Sequence, residues 1–495
     1  MKISCYASSF LDIAEDAAVL FCHKSKRMEG ELLEKIDILS GGAVREMFAS
    51  GEFDGSAGAE AVLYRLPETA AGRVILVGLG DKKDNDFDLF RQAAGRTAKT
   101  AFGQKLKSVA LYYDGPATGS VAQAMVEGFL LGGYRYTAYK TEAEARKGGI
   151  ESLTMVVANR ARLEQAKVGT HRAEVIGWAV NQCRDLAGMP GNDLYPETFA
   201  KEAKRLATES RFTCTVLGPE EIAREKMGGL MAVGQGSERK PRFVIAQYKG
   251  QANAKPVILV GKGITFDYGG ISIKPAQDMG EMKGDMTGAA VVLAVMAAAA
   301  KLKAKVNLIA LIPLAENMPS GHASRPGDVI TSRSGQTIEI ISTDAEGRLI
   351  LADALDYADK FKPQAVVDIA TLTGASLYIL GYAGAPFVGT NKTLNDRLRT
   401  SSEATAEKLW QLPLWPEYAD QIKSPIADIK NSGGRPAGTI TAATFLRKFT
   451  KDWPWAHIDI AYCDQEPSGK PYVPKGPTGF GVRLLLDLIM NWKKV

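Results

Sequence analysis

Short apolar runs alternate with helix-like stretches along most of this chain, and that alternation leaves few folds open. Arg73 to Val77 (RVILV) reads as a buried strand, Leu89 to Ala101 as a helix and Ser108 to Tyr113 as the next strand. Ser152 to Ala158 gives one more strand, followed by a polar, helix-like stretch from Ala161 to Leu186. Further strands are expected at Val257 to Val260, Val306 to Ile312, Thr337 to Ile341 and Ala365 to Ile369, with helices at Ala289 to Leu302 and Leu349 to Phe361 between them. Strands interleaved with helices predict a mostly parallel sheet covered on both faces. The expected class is α/β in two domains. A smaller α/β domain spans 1–160, a connecting helix 161–186, and a larger α/β domain with the mostly parallel central sheet 187–495.

Composition narrows the functions. A chain of 495 residues, 45% hydrophobic and 24% charged, is neither disordered nor a collagen-like fibre nor a coiled-coil rod. Its net charge of +5 is too diffuse to argue for nucleic acid or an anionic membrane, and Lys24 to Arg27 reads as solvated surface. Cys5, Cys22, Cys183, Cys214 and Cys463 are odd in number and scattered, which suits a reducing cytoplasm better than a disulfide framework. Lys2 and the acids Asp12, Glu15 and Asp16 precede any apolar run of signal-peptide length, so no export signal is expected. Ile369 to Asn391 is uncharged, but Gly374, Gly381, Gly384, Pro386 and Gly389 make it buried strand, turn and loop, and no membrane partner is expected.

Several familiar chemistries are missing. His23, His171, His322 and His457 have no metal-ligand spacing, which excludes H-E-x-x-H proteases and three-histidine zinc sites. His457, alternating with Trp455 and Asp459, reads as a hydrogen-bonded core residue on a strand. No G-x-S-x-G elbow occurs. Gly78-Leu79-Gly80 lacks the third glycine of a dinucleotide loop, and Gly261-Lys262-Gly263 is not a phosphate loop.

What stands out is charge gathered near expected strand ends. Lys262, Asp267, Lys274 and Asp285 fall in GKGITFDYGGISIKPAQDMGEMKGDMTGAA, and Asp344, Glu346 and Arg348 in STDAEGRL. Open α/β sheets bind ligands at the carboxyl ends of their strands, where Lys262 and Asp344 are expected. Taken singly, each acid reads as a solvated loop residue with a local ion pair. Gathered, four carboxylates repel one another unless cations neutralise them, and lysines plus divalent metals are the available cations. Asp344 and Glu346, two apart in an extended segment, would face the same way.

In this order GKGITFDYGG, KGDMTGAA, NMPSGHASRPGDVI, STDAEGRLILADAL and DIATLTGA resemble the signature segments of the leucine (cytosol) aminopeptidase family. NSGGRPAGTITAATFL and WAHIDIA extend the likeness through the second domain, whereas the first resembles the family only in its α/β character. The resemblance implies a metal-dependent aminopeptidase that releases neutral, leucine-like amino-terminal residues from peptides by attack of a metal-bridging hydroxide. Two divalent ions per subunit are implied, Mn²⁺ or Zn²⁺ with Mg²⁺ or Co²⁺ as alternatives. Asp267 and Glu346 would bridge them, Lys262 as a neutral amine and Asp285 would complete one shell, and Asp344 the other. The same likeness makes Lys274 and Arg348 catalytic: Lys274 stabilises the oxyanion and Arg348 holds bicarbonate as general base. Met282, Ser342, Ala345, Thr371, Leu372 and Gly374 match substrate-contact segments, though Leu372 reads equally well, and Thr373 better, as a packed strand end. A cytoplasmic homo-hexamer, a dimer of trimers, is implied as well.

Two residues depart from the family's pattern. Ser342 stands where asparagine usually precedes TDAEGR, and Tyr268 where a small residue is common, so a preference not centred on leucine is expected. The competing readings are a two-metal phosphoesterase and, since some bacterial relatives also bind DNA, an architectural or regulatory DNA-binding protein.

Overall fold

The computed structural model describes residues 1–82, 86–115, 118–142 and 149–493. The run after Arg73 is buried at every position from Val74 to Gly80. Such continuous burial requires a strand covered on both faces. The chain divides into two compact units, Met1–Trp178 with Ser468–Pro474, and Ala179–Pro467 with Lys475–Val495.

The first unit is built on six strands: β1 (Lys2–Ala7), β2 (Ala17–His23), β3 (Glu60–Tyr64), β4 (Arg73–Gly80), β5 (Ser108–Tyr113) and β6 (Ser152–Val157). Their order is β1-β6-β5-β2-β4-β3, parallel throughout except for the β3–β4 pair. Helices α1 (Phe87–Gly103) and α2 (Gly119–Gly132) share a buried ion pair, Arg91 Nε to Glu127 Oε1 at 3.1 Å. Ser468–Pro474 joins this unit although it lies far along the chain. Tyr472 Oη donates to Asp88 Oδ1 at 2.6 Å, and Lys99 Nζ to the Lys470 carbonyl at 2.7 Å. Helix α3 (Leu163–Gly188) runs through the division between the units.

In the second unit the main sheet uses β7 (Thr213–Leu217), β8 (Arg242–Lys249), β9 (Val257–Gly261), β10 (Gly263–Asp267) and β11 (Asn307–Asn317). Beyond a small separate sheet of β12 (Val329–Thr331), β13 (Thr337–Glu339) and β17 (Ile429–Lys430), it continues with β14 (Ala365–Ala370), β15 (Ala385–Gly389), β16 (Leu409–Gln411) and β18 (Trp455–Asp459). The order is β16-β15-β18-β14-β9-β11-β8-β7, with β10 paired to β11. Val257 to Val260 of β9 lie between Leu308 to Leu311 of β11 and Ala365 to Asp368 of β14, all in parallel register. Strands β9, β10, β11, β14 and β18 are mutually parallel, and β7, β8 and β15 supply the antiparallel pairings. The mostly parallel α/β architecture is thus present in both units.

The stretch Thr337 to Ile341 departs from expectation. It forms β13 of the separate sheet, three residues long, rather than a strand of the main one. Its amides are taken by Asp428, Asp328 and Asn431, at Thr337, Ile340 and Ile341 respectively, rather than by the central strands.

Helices α4 (Thr287–Lys301) and α5 (Gly347–Ala358) pack on the sheet and begin at its carboxyl edge. The α4 sequence, TGAAVVLAVMAAAAK, is apolar on all sides, as befits a helix with no solvent face. Met279–Lys301 is long and apolar enough to cross a membrane, yet 89% of its apolar window is buried in the core. Ile258, Val260, Ile309 and Leu311 form one apolar layer with Leu349, Ile350, Leu351, Ala352, Ala354 and Leu355 of α5. The five parallel strands therefore deliver their carboxyl ends to one rim, where Lys262, Asp267, Asn317, Thr371 and Asp459 lie.

Candidate functional site

Along that rim four carboxylates meet two lysines. Lys262, just past β9, is 2% exposed and sends its amine to Asp285 Oδ1 (2.7 Å), Glu346 Oε1 (3.1 Å) and the Thr371 carbonyl (2.7 Å). Lys274 Nζ bridges Asp267 Oδ2 at 2.9 Å and Asp344 Oδ1 at 2.6 Å. One ligand oxygen each from Asp267, Asp344 and Glu346 lies within 4.8 Å of the others. Asp285 joins this trio through Lys262 and through the Thr371 hydroxyl, which donates to its Oδ1 at 2.8 Å.

The local chain explains the convergence. Asp267 ends β10, where Gly269 (φ +86°) and Gly270 (φ +63°) turn the backbone in the left-handed region that favours glycine. A Cβ on Gly269 would lie 2.8 Å from Asp344 Oδ1, so a side chain there would fill the space beside the carboxylates. Asp344 and Glu346 come together differently from the extended segment expected. Residues 343–344 form a turn, the Ala345 amide reaches the Ser342 carbonyl, and Glu346 is already helical as the N-cap of α5. Asp285 precedes α4, so two helix amino termini abut the cluster and favour negative charge there.

Two asparagines staple these segments together. Asn317, 4% exposed at the end of β11, donates to Asp267 Oδ1 at 2.8 Å and to the Thr343 carbonyl at 3.0 Å. Asn431, fully buried, accepts the Ile341 amide at 2.8 Å and donates to the Ser342 carbonyl at 2.7 Å. Its own carbonyl accepts Arg348 Nη1 at 2.7 Å. Buried Asp459 accepts the Leu372 and Thr373 amides and the Thr373 hydroxyl, fixing the loop after β14. No role was legible for these three residues, because a buried Asn or Asp reads in a sequence as a surface residue. Their segments carry the family likeness, and their places beyond apolar runs were the available signal.

Electrostatics separates the members of the cluster. Burial pushes Asp267 up to about 6, with Glu346 adding and the two lysines opposing. Burial also holds Asp285 well above the usual carboxylate range, only partly offset by Lys262. Asp344 is raised, again first by burial, with Lys274 acting the other way. Burial would raise Glu346 too, but Lys262 and Lys274 outweigh it and hold it below its ordinary value. At Lys262, expected to be a neutral amine toward a metal, burial and the surrounding carboxylates act in opposite directions. Burial disfavours its charge, yet Asp285, Glu346 and Asp267 overcome this and hold it protonated. A lysine can offer a lone pair only after cations displace that carboxylate field. Burial lowers Arg348 to about 10.

Metal ions suit these residues. Asp285 Oδ2 and Glu346 Oε2 are buried without a hydrogen-bond partner, and the raised carboxylates mark too little positive charge. Divalent cations prefer such oxygen donors. Arg348 Nε is likewise buried without a hydrogen-bond partner.

The remaining predicted residues surround this centre. Met282 is half-buried in the 3₁₀ turn Met279–Gly284 before Asp285. The Ser342 hydroxyl accepts the Asp344 amide at 3.2 Å within the turn, and the Ala345 carbonyl accepts Asn431 Nδ2 at 3.3 Å. Leu372 packs against the apolar core, Thr373 pairs with Asp459 and Thr439, and Gly374 is exposed. The Tyr268 ring meets that of Phe266 at a tilt of 39°, centroids 4.5 Å apart, in a cleft of about 440 Å³ that Arg239 and Lys283 flank. His457 is a core residue on β18, its Nδ1 2.5 Å from Asp368 Oδ1.

A parallel-sheet α/β protein with a carboxylate centre at its strand ends, able to hold metal and flanked by lysines, belongs to a class of architecture that can carry metal-assisted hydrolysis. The chain belongs to the cytosol aminopeptidase family, whose catalytic-domain model matches residues 181–486 and whose N-terminal-domain model matches 19–143. A probable cytosol aminopeptidase of Syntrophotalea carbinolica is 46% identical over 94% of both chains. One from Geobacter sp. is 43% identical over 99% of both. Among solved structures, a mutant of tomato leucine aminopeptidase matches with TM-score 0.89 at 29% identity, covering 99% of this chain and 97% of that one. The bottromycin maturation enzyme BotP in complex with Mn matches with TM-score 0.85 at 32% identity, covering 96% and 99%. The activity is that of an aminopeptidase.

Proposed function

We propose that this aminopeptidase depends on two divalent metal ions and releases neutral amino-terminal residues broadly, without a preference centred on leucine. The observation that carries it is the convergence of Asp267, Asp285, Asp344 and Glu346 with buried, unpartnered oxygens on Asp285 and Glu346. Asp267 and Glu346, with Lys262 and Asp285 on one side and Asp344 on the other, would hold the ions. The Mn complex of BotP supports manganese as one of them, and zinc is retained as the alternative. Bound ions supply Lewis-acid polarisation of the scissile carbonyl and acidify water.

The chain's own groups do the rest. Lys274 stays protonated because Asp267, Glu346 and Asp344 outweigh the burial that disfavours its charge. Of its three N–H groups, Asp267 and Asp344 take two, and the third is left for the oxyanion of the tetrahedral intermediate. Arg348, tied through Nη1 to Asn431, keeps Nε for a small planar anion, and we assign bicarbonate there as general base. Met282, Leu372 and Gly374 border the first residue of the peptide, with Thr371 and the Ser342–Ala345 turn holding the acids in register. Ser342 spends its hydroxyl on the Asp344 amide and Tyr268 lines a cleft with Phe266, which is why the preference is placed away from leucine alone. Exposed Trp410 (66%) and Trp415 (60%) support association of copies, which we take as a cytoplasmic hexamer of paired trimers.

The test is hydrolysis of aminoacyl amides and phosphoryl esters by chelator-treated protein, with Mn²⁺, Zn²⁺ or nothing restored. Amide hydrolysis that returns with metal is expected. Metal-independent turnover, or turnover of phosphoryl esters alone, contradicts the proposal.

A further inference from the structure

The cleft beside Tyr268 supplies no group to the chemistry above, yet its walls carry both signs of charge. Its volume is about 440 Å³, ample for a small molecule, and Arg239, Lys283, Glu316, Phe266 and Tyr268 line it. Among the described residues, no carboxylate forms an ion pair with Lys283, and Glu316 Oε1 receives no hydrogen bond.

The charges are held in place from behind. Ser237, 4% exposed, donates its hydroxyl to Glu316 Oε2 at 2.5 Å and accepts the Arg239 amide at 2.9 Å, which ties the acid to the segment bearing the base. The Arg239 guanidinium lies over the Tyr195 ring, 4.0 Å from its centroid, so the ring face steadies it while its in-plane N–H groups stay available. Phe266 and Tyr268 form an aromatic wall, and Gly191 lies against it. A Cβ there would sit 3.0 Å from Phe266 Cδ2, so a larger residue would press on this wall.

We propose that this cleft is a second binding site, for a free aromatic amino acid, and that its occupancy is coupled to turnover. The ligand's carboxylate would meet Arg239 and Lys283, its ammonium Glu316 Oε1, and its ring the Phe266–Tyr268 wall. Two cations and one acid match a zwitterion better than a simple anion, which Glu316 repels, or an amine, which the cations repel. Free amino acids are what an aminopeptidase releases, and the choice of this ligand class rests on that reading. The coupling runs through the backbone. Tyr268 donates its amide to the Asn317 carbonyl at 3.1 Å and accepts the Lys274 amide at 3.0 Å. Glu316 directly precedes Asn317, whose side chain donates to Asp267 Oδ1 at 2.8 Å. A ligand gripped by Glu316 and Tyr268 therefore bears on the segments that place Lys274 and Asp267.

The test titrates L-phenylalanine, 3-phenylpropionate, phenethylamine and L-alanine by calorimetry into the metal-loaded wild type, Arg239→Gln and Lys283→Gln. Arg239 is exposed, so its variant should keep the wild-type melting temperature and hydrolyse a leucyl amide within about twofold of wild type. Wild type should bind phenylalanine, and each substitution should weaken that binding about tenfold or more through a lost charge-assisted contact. The three analogues, each lacking the amine, the carboxylate or the ring, should bind wild type about tenfold more weakly. Phenylalanine should also change kcat on the leucyl amide, which competition at the catalytic centre alone leaves untouched, and Arg239→Gln should abolish that change. No binding up to about 10 mM, unchanged affinity in either variant, an analogue that binds as tightly, or purely competitive inhibition overturns the inference and leaves the aminopeptidase reading in place. A wild type that binds phenylalanine as described but hydrolyses no aminoacyl amide overturns that reading, and with it the coupling to turnover.

Discussion

Gly347 opens α5 directly against the side chain of Lys262, and replacing it with alanine tests how tightly the site is built. A Cβ at this position would lie 2.4 Å from Lys262 Cε and 2.8 Å from both Cδ and Nζ. Carbon atoms settle at about 3.5–4.0 Å, so Cε must retreat by more than about 1 Å. The amine has little room to do so, because Lys262 is 2% exposed and engaged by Asp285, Glu346 and Thr371 at 2.7–3.1 Å. Such a shift breaks at least one charge-assisted bond, worth about 1.5–3 kcal/mol locally. A displacement of about 1 Å in a catalytic constellation lowers the rate on the order of 100-fold, or about 2.7 kcal/mol in transition-state stabilisation. Helix propensity favours alanine over glycine by about 1 kcal/mol, which offsets part of the loss in global stability. Gly347→Ala should therefore keep its melting temperature within a few degrees while kcat/KM on a leucyl amide falls about 100-fold. A variant that melts normally and hydrolyses within about twofold of wild type would refute the claim that Lys262 is held in one working position.

Three further outcomes follow from the same contacts. Asn431→Ala removes the staple across Ile341, Ser342 and Ala345, and should lower kcat by about tenfold or more, with a weakened response to added bicarbonate, read by titrating bicarbonate against rate. Asp459→Asn turns a carboxylate that accepts from Leu372 and Thr373 into an amide with one acceptor fewer, so KM should rise about tenfold with a smaller change in kcat. Lys274→Ala leaves Asp267 and Asp344 without their shared ammonium, and should cost about 100-fold or more in kcat while metal uptake persists, measured by activity and metal analysis together.

Much of the fold was legible because buried parallel strands leave continuous apolar runs. Ser108 to Tyr113 was bounded to the residue, and Arg73 to Val77 lies wholly within β4. The helix expected at Leu89 to Ala101 needed only a turn's extension. Thr337 to Ile341 misled because β-rich composition does not say which sheet a short strand joins. The acids themselves were legible through residue type and spacing, but their geometry was not. Asp344 and Glu346 meet through a turn and a helix cap, which the i, i+2 spacing does not reveal. The polar groups that hold the site, Asn317, Asn431 and Asp459, act through backbone amides and carbonyls far away in sequence. The excursion of Ser468–Pro474 into the first unit depends on equally distant partners, Asp88 and Lys99.

Titration of Mn²⁺ into chelator-stripped protein, followed by calorimetry beside the Asp344→Asn and Glu346→Gln variants, bears most directly on the carboxylate centre. Uptake of about two ions per chain by the unaltered protein, reduced in each variant in step with amide hydrolysis, is what the geometry predicts. Full amide hydrolysis by a stripped chain that takes up no ion would contradict it.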